Sequence, residues 1–384
     1  MVISQTCTRC LYDNESIPNV TFDEDGVCNY CHIHDELDMR HPTGVEGRLK
    51  LERLASEIRE AGKGKPYDVV VGVSGGRDSS YLLHLSCELG LRPIAAHYDN
   101  GWDTEIAKAN INRMVEALQV PYFSYRVKQT EVDDLIRSFL MSHTQDAEAP
   151  TDLALVKILF HVARQHGIKY ILDGHSFRTE GMAPLGWSYM DGRYVQSVHR
   201  ECGNVPLETF PNLTLMDQIW AGIRGVKRPR PLYYVDYNAE EITKFLQDKY
   251  GFVWYGGHHL ENTYTAFFDY YYRFNKLGYD GRLVELSALV RSGQMEREDA
   301  LREIEKPNLD PEIQAQLLLE IKRRLKLTDD TFHYIMSREV ARNTYRDWET
   351  YRKTFRRLKP LFWAMMKTGR IPETFYIKYV RGSK

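Results

Sequence analysis

Four cysteines stand as two C-x2-C pairs, Cys7-Thr8-Arg9-Cys10 and Cys28-Asn29-Tyr30-Cys31, seventeen residues apart. That spacing matches the C-x2-C-x15–20-C-x2-C pattern of zinc sites. Each pair turns two thiolates toward one point, and four thiolates complete the tetrahedral shell of Zn2+. A closed four-cysteine shell leaves the metal no open position, so its role is structural: it holds together a segment too small to build its own core. Free thiols or a redox pair are the competing readings. His32 and His34 adjoin the second pair and are expected around the site or on the surface, because four sulfurs already satisfy the metal. Of the remaining cysteines, Cys87 reads as buried packing. Cys202 falls in a loop-like stretch where a nucleophilic role is possible but has no support.

The second arrangement is Val73-Ser74-Gly75-Gly76-Arg77-Asp78-Ser79-Ser80. Adjacent glycines let a backbone approach a phosphate closely and aim several N–H groups at it. A helix N-terminus after the loop adds partial positive charge. Ser74 and Ser79 can donate hydroxyl hydrogen bonds, and Asp78 can hold Mg2+ across phosphate oxygens. The loop is neither a Walker A sequence nor G-x-G-x-x-G. The plain alternative is a strand-to-helix turn capped by Ser or Asp.

These residues need a frame. Tyr67–Val73 reads as a strand whose continuous apolar run suits a parallel sheet covered on both faces. Asp78–Leu89 reads as a helix, Arg92–Tyr98 as a strand, Thr104–Leu118 as a helix and Tyr122–Val127 as a strand. A helix over Thr151–His166 and a strand over Tyr170–Leu172 follow. Leu49–Glu60 is a further helix, ended by Gly62-Lys63-Gly64-Lys65-Pro66. Alternating strands and helices predict an α/β open parallel sheet with ligands at the C-terminal strand ends. Beyond residue 236 no convincing strand occurs. Asn238–Tyr250, Glu261–Lys276, Pro311–Leu325 and Arg338–Thr368 look helical, the last with a solvated basic face and a buried aromatic face. The expected division is 1–45 for the zinc-binding segment, 46–235 for the α/β domain that carries the glycine loop and 236–384 for a helical C-terminal domain.

Composition sets outer limits. The 384 residues are 43% hydrophobic and 27% charged, close to a globular average, which excludes disorder over the whole chain. Lys+Arg is 51 and Asp+Glu 53, for a formal net charge of -2, so a globally basic nucleic-acid binder is disfavoured. No apolar run approaches a membrane span and the N-terminus has no apolar signal core, so the expected compartment is the cytoplasm. The 25 tyrosines are expected mostly half-buried between helices.

S-G-G-x-D-S after a strand resembles the PP-loop of ATP pyrophosphatases, which cleave ATP to AMP and pyrophosphate. The resemblance implies an adenine nucleotide alpha hydrolase-like domain in which Gly72, Ser74, Gly75, Gly76, Arg77, Asp78, Ser79, Asp99 and Gly174 surround ATP. The four-cysteine knuckle, His97–Trp102, Pro150-Thr151-Asp152, Gly174–Gly181, His258–Asn262, Tyr271–Asp280 and Ser292–Met295 extend it. Together they resemble the WbpG/PseA-like N-acetyl sugar amidotransferases of bacterial surface-polysaccharide pathways, over most of the chain and more weakly after about residue 310. That family converts an acetamido group on a nucleotide-linked or nonulosonic sugar to an acetamidino group, with ammonia from a separate glutaminase subunit. The cofactors implied are ATP, Mg2+ and Zn2+. One departure concerns the positions after Gly-His. Many PP-loop enzymes carry adjacent Asp residues there, whereas this chain has Arg178 and Thr179, which leaves the second magnesium ligand open.

Other residues carry paired readings. Asp99 either contacts adenosine or caps a turn. His175 and Glu180 either position a nucleophile and take its proton or make loop hydrogen bonds. Arg178, Trp187 and Asp191 are candidates for holding the sugar, with packing the usual role of isolated aromatics. Arg224, Lys227, Arg228 and Arg230 either meet a diphosphate or carboxylate or form a solvated loop. Two other functions stay open: a different PP-loop enzyme such as a tRNA thiolase, and a non-enzymatic zinc-knuckle adaptor for RNA or protein.

Overall fold

The computed structural model describes residues 4–182, 184, 192–341, 345, 349–371 and 376–381. Trp187 and Asp191 lie outside the described residues.

The first segment carries α1 (Asn29–Arg40) and leads into α2 (Gly44–Ala61). The sheet region then alternates β1 (Val69–Gly72), α3 (Arg77–Glu88), β2 (Pro93–Asp99), α4 (Glu105–Leu118) and β3 (Tyr122–Arg126). It continues with α5 (Gln129–Met141), α6 (Ala149–Gln165) and β4 (Tyr170–Leu172). Helices α7 (Gly192–Cys202) and α8 (Leu215–Ile223), a 3-10 turn over Pro231–Tyr234 and α9 (Ala239–Tyr250) follow. The C-terminal part is helical among the described residues: α10 (Thr263–Phe267), a π-helix over Phe268–Leu277, α11 (Arg282–Arg291), α12 (Arg297–Glu305), α13 (Pro311–Arg324), α14 (Asp329–Ser337), α15 (Glu349–Arg357), α16 (Lys359–Lys367) and a π-helix over Tyr376–Arg381.

The four strands are parallel in the order β3-β2-β1-β4. Successive residues of β1 face opposite sides. Val69 and Val71 pack with Leu51, Leu82, Ile111 and Leu246 from α2, α3, α4 and α9. Val70 packs with Leu159 and Val162 of α6. Both faces are therefore covered, which is why the strand is apolar at every position. The chain builds β1, β2 and β3 outward and then returns to place β4 on the other side of β1. The crevice between the C-terminal ends of β1 and β4 is the switch point where open α/β sheets bind ligands.

Several local expectations are corrected. The turn-rich first segment contains α1, whose N-cap is Cys28, so the second cysteine pair occupies a helix start. The basic aromatic stretch near the C-terminus is α15 and α16 rather than one helix. Pro360 lies in the first turn of α16, where a missing N–H does no harm, but it cannot sit inside a continuous helix. Phe355 is buried there, yet Trp363 is half exposed. Tyr12, Tyr237, Tyr264 and Tyr272 are fully buried rather than half-buried. The hydroxyls of Tyr264 and Tyr272 donate to the carbonyls of Ala147 and Thr144 at 2.7 and 3.2 Å, so burial costs them no hydrogen bond. Residues 227–229 are not a solvated loop. Lys227 bridges in parallel to Tyr170, and Ile171 N and Asp173 N donate to the carbonyls of Lys227 and Pro229, which extends the sheet beyond β4.

Candidate active site

The glycine loop joins β1 to α3 with Gly76 as N-cap. Gly75 has φ +79°, and a Cβ there would stand 2.3 Å from the carbonyl oxygen of Ala107 in α4. Only glycine permits both the left-handed backbone and that approach. Buried Asn110 of α4 locks the arrangement. Its Nδ2 donates to Gly75 O (3.2 Å) and Val253 O (3.0 Å), and its Oδ1 accepts from Val253 N (2.9 Å). One side chain thus ties the loop to the segment after α9. Ser74 N donates to Ser79 Oγ at 3.2 Å, and Gly76 N to Ser74 Oγ at 3.2 Å.

A cavity of about 360 Å3 opens over this loop. Gly72, Ser74, Gly76, Arg77, Asp78, Ser79, Gly174, His175 and Glu180 line it, so the structure brings together most residues singled out in the sequence. Gly75 acts from beneath, through its contact with α4. Asp99 does not line the cavity. Its Oδ1 accepts from Gly101 N at 2.9 Å and its Oδ2 pairs with Arg126 at 3.1 Å, so it serves the turn that was its alternative role. Arg178 is also elsewhere. Its guanidinium, 9% exposed, donates to Asp38 and to the carbonyls of Tyr233 and His41, binding α1 to the 3-10 turn. Arg178 lines neither this cavity nor the one beside it.

Electrostatics distinguish the lining groups. Asp78 pairs with Arg77 at 2.9 Å and accepts from the Tyr237 hydroxyl. Glu180 accepts from Ser176 N at 2.9 Å, and burial, then the nearby Asp78, hold its carboxyl well above the usual carboxylate range. Burial, followed by the Arg230 charge, pushes His175 down to about 4. Arg230 donates to Tyr233 Oη at 2.6 Å, and His175 Nδ1 shares a hydrogen bond with the same hydroxyl at 3.1 Å. The ring is therefore neutral near pH 7. Asp173 accepts from Arg228 and Arg230 at 3.4 and 3.3 Å. Burial opposes its charge, but the two guanidiniums hold its carboxyl well below the usual range. Arg228 also lines the cavity, and its Nε is buried with no partner, a donor well suited to an anionic ligand.

The sequence reading missed Asn110, Tyr237, Trp254, Tyr255, His258, His259 and Glu261 as site residues. All but Asn110 and Tyr237 line the cavity. One signal was available, because His258–Asn262 stood out as a stretch. Nothing local said that it returns to the loop. Thr104 N donates to Glu261 O, and Thr263 N to Trp102 O, each at 2.9 Å, so this stretch pairs with the loop after β2. His259 has φ +59°, a conformation uncommon outside glycine and found where sites hold strain. A second cavity, also about 360 Å3, shares Asp152, His175, Glu180, His258 and His259 with the first. Its far wall is Asp269, Tyr270, Arg273, Arg282, Val284 and Glu285.

The four-cysteine cluster fits its metal. The sulfurs of Cys7 and Cys31, Cys10 and Cys28, and Cys28 and Cys31 are 3.8, 3.7 and 3.6 Å apart. A tetrahedron with Zn–S about 2.3 Å has edges of about 3.8 Å. Arg291 Nη2 donates to Cys10 Sγ at 3.1 Å, a cation against the thiolate set. His34 is buried against Phe177 and His32 pairs with Asp23, so neither competes for the metal. A magnesium ion suits Asp78 by donor chemistry. Among the described residues Asp78 belongs to no group of three converging ligand atoms. His97, Asp99 and Asp103 do converge, but His97 is held by Val73 O (2.8 Å) and Asp103 (3.1 Å), and Asp99 by Arg126.

Residues 261–367 match the family model of the LPS biosynthesis protein WbpG-like, C-terminal domain. This part of the chain is similar to that domain. It begins at Glu261, so the WbpG-like domain supplies a residue to the glycine-loop cavity and the far wall of the second one. Two proteins of Methanocaldococcus jannaschii are similar. The uncharacterized protein MJ1599 is 22% identical over 81% of this chain and 97% of its own. The uncharacterized protein MJ1016 is 24% identical over 41% of this chain and 53% of its own. Among solved structures, NMN synthetase from Francisella tularensis aligns at 14% identity and TM-score 0.28, covering 58% of this chain and 91% of that one. The NH3-dependent NAD synthetase from Campylobacter jejuni aligns at 14% identity and TM-score 0.33, covering 77% and 99%. The α/β assignment rests on the chain's own parallel sheet. No helix among the described residues is long and apolar enough to cross a membrane.

Proposed function

We propose that the chain is the synthetase subunit of an ATP-dependent amidotransferase. In this reading it converts an acetamido group of a nucleotide-linked or nonulosonic sugar to an acetamidino group and releases AMP and pyrophosphate. The observation that carries it is the pair of cavities meeting at His175, Glu180 and His258, one built on a phosphate-binding loop and the other walled by the WbpG-like domain. A nucleotide in the first and an acceptor in the second would meet at that junction.

The chemistry follows from the acceptor. An amide carbon is a poor electrophile because its oxygen leaves badly. Attack of the amide oxygen on the α-phosphorus of ATP forms an O–P bond and expels pyrophosphate. Ammonia then adds to the carbon, and AMP departs with the former amide oxygen, leaving the amidine. The loop N–H groups, the α3 N-terminus and the free Arg228 Nε are fixed dipoles and charge for the departing pyrophosphate. Magnesium would be held by Asp78 together with the phosphates and would supply charge neutralisation there. Neutral His175 lines both cavities and would help position the acceptor at their junction. Protonated Glu180 can give up its proton as charge develops nearby. Ammonia would come from a partner glutaminase subunit, and the compartment would be the cytoplasm, where ATP is available. The four-cysteine zinc site would be structural.

A tRNA thiolase needs reactive cysteines at its cavity. Outside the four zinc-site cysteines the chain has only Cys87 and Cys202. Neither lines either cavity, and burial pushes both thiols up, away from reactivity. A non-enzymatic adaptor gives the two cavities no role. The deciding assay incubates the chain with Mg-ATP, ammonium at mildly alkaline pH and a panel of nucleotide-linked and nonulosonic acetamido sugars. AMP that appears only with one acetamido sugar supports the proposal. ADP, or turnover indifferent to the sugar, overturns it.

A further inference from the structure

We infer that Glu261, delivered by the WbpG-like domain, is a ligand of a divalent metal bound with nucleotide at the glycine loop. The site would thus be shared between the sheet and the C-terminal helices. This rests on the nucleotide reading of the first cavity and adds to it a ligand that does not follow β1 or β4.

Glu261 Oε2 is buried with no hydrogen bond of ordinary geometry, while the Tyr255 hydroxyl and His259 face the same carboxyl. A carboxylate oxygen in that condition is costly unless something outside the protein satisfies it. Its Oε1 lies 3.5 Å from Ser74 Oγ, and a Cβ on Gly76 would stand 2.9 Å from the same oxygen. The carboxyl therefore rests on the loop segment whose N–H groups would hold phosphate. Two anions in that position repel in a poorly solvated cavity unless a proton or a cation lies between them.

Magnesium is the natural cation, since it takes one or two carboxylates and fills its octahedron with phosphate oxygens and water. Asp78 supplies the other carboxylate. Its Oδ1 is taken by Tyr237 and by Arg77 at 2.9 Å, while its Oδ2 has only a 3.5 Å contact to Arg77. The position of Glu261 is rigid. Its carbonyl accepts from Thr104 N, and Asn262 Nδ2 donates to Asn100 and Asp103 at 3.1 and 3.0 Å. Asn262 then caps α10 by accepting from Tyr264 N and Thr265 N. Glu261 stays outside the helix and free to reach the loop.

The test uses the full zinc-loaded chain and the non-hydrolysable analogue α,β-methylene-ATP. Nucleotide affinity is measured by calorimetry without added divalent ion and in Mn2+, and Mn2+ affinity of the nucleotide complex by EPR. Glu261→Gln is expected to weaken Mn2+ binding about ten-fold or more. Without added divalent ion it should bind nucleotide as well as wild type or better, because a repelling carboxylate is gone. Glu261→Asp, which keeps the charge, should recover part of the Mn2+ affinity. Mn2+ affinity unchanged in Glu261→Gln but lost in Asp78→Asn overturns the inference. So does an equal loss of nucleotide affinity with and without metal, which marks a structural role. A wild-type chain that binds no nucleotide in either condition removes the nucleotide reading itself.

Discussion

Gly75→Ala tests whether the loop is held in one shape. The new methyl would meet Ala107 O at 2.3 Å, Ala107 C at 2.7 Å and Ala107 Cα at 2.8 Å, all backbone atoms of α4 that cannot swing aside. The residue must also keep φ near +79°. The left-handed conformation costs a non-glycine residue about 1–2 kcal/mol, and forcing a methyl into a packed contact about 1–3 kcal/mol. If the loop holds its place, the chain loses about 2–5 kcal/mol, and the urea midpoint of the unfolding step that includes the sheet falls. If the loop retreats instead, the 3.2 Å bond from Asn110 to Gly75 O is broken and the N–H groups leave the cavity. That costs about 1–3 kcal/mol of stability and at least about ten-fold in nucleotide affinity, equivalent to about 1.4 kcal/mol. Gly174→Ala is the control. It faces the same cavity, but its nearest contact would be 3.6 Å from Leu82 Cδ2, so stability should stay within about 0.5 kcal/mol. Urea titration and calorimetry with α,β-methylene-ATP measure both quantities. A Gly75→Ala protein with wild-type midpoint and wild-type affinity would refute the geometric argument.

Asn110→Ala leaves Gly75 O, Val253 O and Val253 N without their partner, and should destabilise by at least about 1–3 kcal/mol while weakening nucleotide binding. An effect on stability alone would mean that the loop does not depend on Asn110. Arg291→Met removes the cation beside Cys10 Sγ and should release zinc to a chelator about ten-fold faster, with Arg291→Lys between the two. Equal release rates would show that the charge does not hold the metal. His41 and His175 are both pushed down to about 4 from an ordinary 6.5, by burial first and then by Arg178 and Arg230 respectively. The unfolded chain therefore binds the extra protons, so this stability is fully present above pH 6.5 and is lost as pH falls toward about 4. Urea midpoints of the zinc-saturated chain that stayed flat over that window would contradict the buried neutral rings.

Much of the active region was legible in one dimension because its signals are local. The two cysteine pairs, the glycine loop between a strand and a helix, and the apolar β1 each declare themselves within a dozen residues. Chain order supplied the alternating α/β pattern, since a covered parallel strand must be apolar at every position. Asp99 and Arg178 show the limit. Both lie in stretches that resemble a nucleotide- or sugar-binding family, yet each is consumed by a partner far away in sequence, Arg126 for one and Asp38 with two carbonyls for the other. Residue type alone cannot show that a charge is already spent. Tertiary structure also decided that Glu261 crosses 187 residues of chain to reach Ser74, and that Asn110 joins Gly75 to Val253. It decided that Arg291 faces Cys10. Such contacts carry no local period or motif. They exist because packing the C-terminal helices against the sheet leaves those atoms at hydrogen-bonding distance, and the sequence by itself holds that information only as the sum of all its packing.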